Sequence, residues 1–250
     1  MLFRQFFDRE SSSYTYLLAD EHTREAAIVD PVLENVDAYL ELMGQLGLGL
    51  VRVFDTHVHA DHVTGASVLR ERTGAHTVSG HAGAACADLN AEPGAIVRVG
   101  GLALRVLATP GHTDDSVSYL LVDPVHAEVP GDRVFTGDAL LIRAAGRTDF
   151  QNGDAGTLFD SITRQLFTLP DATLVYPGHD YHGRTVTTVG EEKKWNPRIA
   201  GHTRAQFIAE MHSLQLPAPK RMSEAVPANL ACGRTPHSPA PLGPRRAGAR

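Results

Sequence analysis

The segment THVHADH, residues 56–62, sets three imidazoles and a carboxylate directly behind an apolar run at 48–54. Alternate residues of an extended chain point to the same side. A strand over 50–54 therefore delivers His57 and His59 together to the rim of a sheet, and Asp61 and His62 fall where the chain turns toward a helix. The fold must then leave that rim open, with side chains converging beyond the strand end. Imidazole and carboxylate together suit zinc, iron or manganese better than softer ions. A lone histidine is more often a core residue, but four ligand-type groups this close together point to a metal site.

The rest of the chain has the organisation such a rim needs. Short β-type runs at 14–19, 26–30 and 50–54 enclose an amphipathic stretch at 35–46 that reads as a helix. A second helix is expected over 62–73, ended by Gly74, then a strand at 76–79 and a short helix at 83–89. Four further strands are expected at 96–99, 102–108, 116–122 and 133–136. Turn signals at Pro110-Gly111, Asp123-Pro124 and Pro130-Gly131 separate them. A helix at 157–167, a strand at 173–176 and helices at 186–194 and 205–216 complete an α/β pattern. From Pro217 onward Pro, Ala, Gly and Arg dominate, and the last dozen residues have almost nothing to bury, which predicts a disordered tail.

Three more ligand-type residues lie just past β-type runs, where open layered folds collect their chemistry. His112 follows a Pro-Gly turn in ATPGHTDD. Asp138 follows Gly137 in VFTGDAL, where glycine permits close approach of the backbone to a site. His179 follows a second Pro-Gly in LVYPGHDY. Each alone is compatible with a turn or cap residue. Three copies of one arrangement, in a chain that also carries THVHADH, favour a shared centre.

Composition narrows the function classes. The 250 residues, 42% apolar, suffice for a sizeable core, and a formal net charge of -6 with no basic stripe before the tail disfavours a nucleic-acid partner. The N-terminus has neither the apolar core of a signal peptide nor the character of a transit peptide, and no membrane partner is expected, so the cytoplasm is the default. Cys86 and Cys232 are far apart and lack CxxC spacing; they are read as structural residues outside any disulfide framework, suited to a reducing compartment.

The run THVHADH, with His112, Asp138 and His179 at these intervals, resembles the metallo-beta-lactamase superfamily. Within it, ALLIRAAGRTDFQNGD (139–154), YPGHDYHGRTVTTVGEEKKWNPR (176–198), LPAPKRMSEAVPANLACG (216–233) and the opening FRQFFDRESSSYTYLLAD are similar to persulfide dioxygenases of the mitochondrial sulfide-oxidation type. The resemblance implies a four-layer αββα sandwich of two mixed sheets, formed as one catalytic domain over 1–233, with 234–250 as the tail. It implies one Fe(II) per chain on His57, His112 and Asp138, with three coordination positions left for a sulfur substrate and dioxygen. His59, Asp61, His62 and His179 are then expected to orient the ligands and shape the pocket. The implied reaction oxidises glutathione persulfide with O2 and water to sulfite and glutathione.

In that reading Tyr181 offers a phenolic O–H toward the reacting atoms, and Arg147 and Arg198 anchor the glutathione carboxylates. Arg147 has the alternative of a structural pair with Asp149. Where animal members carry a cysteine this chain has Ala145, so no thiol is expected to take part there. Homodimerisation is a further expectation, resting on the resemblance and on the apolar stretch 2–7, which must be covered by a partner or by the chain's own sheet. The runner-up is a glyoxalase II-like thioesterase. It would use His59, Asp61, His62 and His179 as ligands and Asp138 as a bridge between two ions, and ligand inventory alone does not separate it. A non-catalytic metal-binding scaffold is the third class.

Overall fold

In the computed structural model, which describes residues 1–126 and 130–234, two mixed six-stranded sheets face each other. The first contains β1 (Leu2–Phe7), β2 (Tyr14–Ala19), β3 (Glu25–Val29), β4 (Gly49–Phe54), β5 (His76–Gly80) and β6 (Leu89–Ala91), side by side in that order. β1 to β3 pair antiparallel and β3 to β6 parallel. The second contains β7 (Ile96–Val99), β8 (Leu102–Ala108), β9 (Val117–Val122) and β10 (Pro130–Gly137), and its order runs on past β10 to β13 (Leu174–Pro177) and β14 (Thr187–Thr188). A small ladder of β11 (Leu140–Leu141) and β12 (Ala144–Ala145) lies between β10 and β13 in sequence.

Every residue of β2 is buried, as a strand covered on both faces requires, and its period-2 pattern divides the core. Tyr16 and Leu18 join Phe54, Tyr119, Phe135 and Tyr176 between the sheets. Leu17 and Ala19 face the opposite way, onto α1 (Val36–Gln45) and α2 (Ala66–Thr73), where Tyr39, Met43 and Leu69 are buried. On the far side, α3 (Ala155–Arg164), α4 (Val189–Trp195) and α5 (Arg204–Ser213) bury Leu158, Ile162, Val189 and Phe207 against Leu120, Val134 and Val175. The expected αββα sandwich is thus present. Caps set the helix starts: Asp154 accepts the Thr157 N–H at 2.6 Å, and Thr203 with Gln206 forms a capping box.

The apolar opening stretch is partly covered by the chain itself, while Phe7 stays exposed. As β1 it pairs along β2, its Phe3 ring packs on Tyr176 at 4.9 Å, and Phe6 meets Tyr39 at 5.0 Å. Two expected helices change. Residues 62–65 stay irregular and α2 begins only at Ala66, because the preceding turn is held by side-chain bonds that a helix would break. No helix forms at 83–89: of its apolar residues only Ala84 is buried, and Asp88 accepts the N–H and hydroxyl of Thr77 at 2.9 and 3.1 Å as the chain enters β6. Conversely α6 (Met222–Leu230) forms in the Pro- and Ala-rich end, since Ala225 and Ala228 bury against Val63.

The reading of the cysteines is corrected. Cys86 and Cys232, separated by 146 residues, form a disulfide with Cα atoms 6.0 Å apart. Sequence spacing conceals this because the fold, and not the chain, brings α6 beside the 81–88 loop. The expected tail at 234–250 lies outside the described residues except for Arg234, which pairs with Glu71 at 2.8 Å. No helix among the described residues is long and apolar enough to cross a membrane.

Candidate metal centre

Four strand ends converge at one rim of the sandwich. β4 leads into the 56–62 turn, β8 into the Pro110-Gly111-His112 turn, β10 into Asp138 and β13 into His179. Close approach is obligatory there: Gly137 has φ +49°, and a Cβ on it would stand 2.5 Å from the Thr56 hydroxyl oxygen. A Cβ on Gly178 would stand 2.6 Å from Asp138 Oδ1.

One candidate ligand atom each from His57, His112 and Asp138 lies within 4.8 Å of the others, and all three residues are buried. Their outer atoms are already committed. His112 Nδ1 donates to the Arg147 carbonyl at 2.7 Å, which leaves Nε2, 3.7 Å from Asp138 Oδ2, with its lone pair available. His57 Nδ1 lies 3.0 Å from the Thr56 hydroxyl, and that hydroxyl donates to Asp30 Oδ2 at 2.9 Å. Asp138 Oδ1 accepts from His179 Nδ1 at 2.7 Å, so Oδ2 remains. Burial, reinforced by the neighbouring His59 and His112, drives His57 well below the usual imidazole range and keeps it in the neutral form a metal needs. Burial alone would raise Asp138, yet the His179 charge and hydrogen bond, with His112 and His57 adding to them, hold it well below the usual carboxylate range. Two imidazoles and one carboxylate fit a divalent transition metal.

The second group, His59, Asp61 and His62, lies beside the first. Here the charges are compensated within the protein. Asp61 Oδ2 accepts from His62 Nδ1 at 2.8 Å and from His179 Nε2 at 3.0 Å. His179 therefore bridges two carboxylates, and although burial opposes its charge, Asp138 and Asp61 push it well above the usual range. His59 Nε2 sits 3.2 Å from Asp30 Oδ1, and against the burial cost that carboxylate raises it to about 9. His59 Nδ1 and His62 Nε2 are buried without a hydrogen-bond partner among the described residues, and such orphaned nitrogens call for a ligand or metal-bound group nearby.

The turn itself is held from several sides. Asp30 accepts the Thr56 N–H at 2.7 Å, Asp115 accepts the Val58 N–H at 2.8 Å, and Gln151 donates to the Val58 carbonyl at 2.7 Å. Sequence reasoning missed these residues. Asp30 had a legible signal, since IVD at 28–30 ends a strand in an acid as TGD does at Asp138.

The centre opens on a cleft of about 750 Å³ whose wall includes Tyr181, Arg147, Arg198, Glu10 and Lys220. The Tyr181 ring stacks on His179 at 6.0 Å and is 69% exposed. Arg147 forms two 2.7 Å bonds to Asp149 and donates to the Pro217 and Leu216 carbonyls at 2.6 and 3.3 Å. The structural pair is therefore formed, and the residue ties the 216–217 segment to the site. Arg198 has only a 3.4 Å contact with Glu210, while Lys220 and Glu10 line the cleft with no charged partner among the described residues. Ala145 is buried beside the centre, in the wall of the same cleft.

This fold and site define a class. The model of the metallo-beta-lactamase superfamily matches residues 8–85 and 87–179. Over 240 residues the chain is 47% identical to the mouse mitochondrial persulfide dioxygenase ETHE1, covering 95% of this chain and 91% of that protein. The crystal structure of ETHE1 from Myxococcus xanthus superposes with a TM-score of 0.89 at 61% identity, covering 94% of this chain and all (100%) of that one. A more distant structure, TTHA1623 in a di-iron-bound form, has a TM-score of 0.61 at 26% identity over 78% of this chain and 98% of that one. The chain belongs to the metallo-beta-lactamase superfamily and, within it, to the family of the ETHE1 persulfide dioxygenases.

Proposed function

We propose that the protein is an iron-dependent persulfide dioxygenase that converts glutathione persulfide, O2 and water to sulfite and glutathione. The observation that carries this reading is the near-full-length identity to a persulfide dioxygenase, joined to a donor set of two imidazoles and one carboxylate. His57, His112 and Asp138 would hold the metal. When bound, a ferrous ion supplies open positions for the substrate sulfur and dioxygen together with the redox chemistry of oxygen transfer.

The chain's own groups do the rest. His179 steadies Asp138, and the Thr56–Asp30 relay fixes the His57 ring. Tyr181, exposed on the cleft wall, presents its phenol to the substrate side. Arg198 offers most of its donors to a glutathione carboxylate, and Lys220 is a second cation free to do so. Arg147 has one N–H left after its four bonds and contributes chiefly by shaping the cleft.

Metal analysis of protein prepared without added metal, combined with an oxygen electrode, tests the reading. About one iron per chain and oxygen uptake that requires glutathione persulfide are expected. Two metals per chain with hydrolysis of S-acylglutathione, and no persulfide-dependent uptake, would replace it with the thioesterase.

A further inference from the structure

The C-terminal helix reaches the metal turn through one side chain. Asn229, 3% exposed, lies near the end of α6. Its Oδ1 accepts the Thr64 N–H at 2.8 Å, and its Nδ2 donates to the carbonyls of His59 and His62 at 2.9 and 2.8 Å. Both amide hydrogens and one oxygen lone pair are spent on a single turn, the one that carries the second histidine group. Removing the side chain would leave a buried N–H and two buried carbonyls unsatisfied, at a site where water has no ready entry.

The helix is in turn held against that turn by bonds beyond its end. Ser67 N–H donates to the Cys232 carbonyl at 3.1 Å, and a Cβ on Gly233, whose φ is +80°, would stand 2.0 Å from the Thr64 carbonyl. The disulfide from Cys232 to Cys86 then staples the same segment to the 81–88 loop. Among the described residues the fully buried apolar side chains of α6 are Ala225 and Ala228, in a small cluster with Val63 against which Leu33 packs. So small an apolar contact holds a helix weakly, which gives the staple and the amide bonds their weight.

We propose that Asn229 is a positioning residue of the metal centre: it fixes the backbone of the 59–64 turn, and the Cys86–Cys232 disulfide keeps its helix seated there. The inference rests on the metal site and is independent of which substrate is oxidised there.

The test uses iron-loaded, full-length protein and three variants. Asn229→Asp keeps the size and the acceptor but removes both donors, Asn229→Ala removes the whole clamp, and Cys86→Ser opens the staple while leaving Asn229 in place. Two readouts are followed: the rate of iron transfer to a ferrous chelator well below the melting temperature, and backbone amide exchange of 57–66 by mass spectrometry. Both Asn229 variants are expected to lose iron about tenfold faster than wild type, the scale of indirect support to a metal ligand. Faster exchange should be confined to 57–66, and Cys86→Ser should move both readouts in the same direction by a smaller factor. Iron loss and exchange within twofold of wild type, even with a lowered melting temperature, would show a merely structural residue and overturn the proposal. If Asn229→Ala does not fold, Asn229→Asp decides. Wild-type behaviour of Cys86→Ser would remove the disulfide from the account. An absence of persulfide-dependent oxygen uptake in wild type would sink the proposed reaction and leave these readouts unaffected.

Discussion

The two histidine groups at the rim share one turn and nearly one composition, yet the structure prepares them differently. In His57, His112 and Asp138 each outer atom is bonded to protein and one inner atom is left with a lone pair. In His59, Asp61 and His62 the carboxylate is shared between two imidazoles and His59 leans on Asp30. In the first group Asp138 keeps Oδ2 beside the two imidazoles while His179 takes Oδ1, whereas in the second Asp61 is shared between His62 and His179, and His59 Nδ1 and His62 Nε2 have no hydrogen-bond partner among the described residues. A metal adds most where outer-atom hydrogen bonds preorganise the donors, and on the proposed function the first group would bind the metal and the second would support it.

The largest expected effect separates the groups directly. Asp138→Asn should abolish stoichiometric iron, as measured by elemental analysis, and bring persulfide-dependent oxygen uptake below detection. His62→Ala should keep its iron and lose activity by about 10- to 100-fold, the range for residues that act behind ligands. Loss of metal from His62→Ala would break the comparison, since it would make the second group a ligand set.

Asp30→Ala attacks the support of both groups at once. It takes the partner carboxylate from the buried His59, and strips the Thr56 N–H and hydroxyl of their acceptor. Urea denaturation should register a loss of about 3 to 5 kcal/mol. A change below the scale of one ordinary hydrogen bond would mean that the charge compensation assigned to the second group is unimportant.

Arg198→Ala should raise KM for glutathione persulfide about tenfold with iron content unchanged, the scale of one lost charge-assisted bond. Arg147→Ala should act differently, lowering stability through its ties to 149 and 216–217. Equal KM effects in the two variants would erase that distinction.

The smallest effect is a pH trend in metal-stripped protein. His59 is raised to about 9, so its contribution is fully present below its unfolded value near 6.5 and is lost as pH rises through about 9. His179, also raised, acts in the same direction. The melting temperature should fall by about a few degrees between pH 6.5 and 9.5. A flat or rising profile would contradict the compensation drawn for the second group.

Much of the fold was legible. β2 matches the expected 14–19 run residue for residue, and α2 stops at Gly74, whose φ of +79° no side chain readily adopts. The misses share a cause. The 83–89 stretch and α6 are decided by what packs on them, namely Thr77 on Asp88, which lies beyond one helical turn, and Val63 on Ala225 and Ala228, which lies far away in sequence. The disulfide and the Asn229 clamp failed to announce themselves for the same reason.

Sequence alone determined which side chains reach the rim: His57, His112, Asp138 and His179 each sit just past a β-type run, where a strand hands the chain to the edge of its sheet. Only the tertiary structure decided which atom of each is left to bind. That depends on Arg147 and His179 taking the outer atoms of His112 and Asp138 across 35 and 41 residues of chain, and on Asp30 holding, across 26, the Thr56 hydroxyl that faces His57 Nδ1. A hydrogen bond of this kind is a property of a meeting in space, and local propensity carries no record of it.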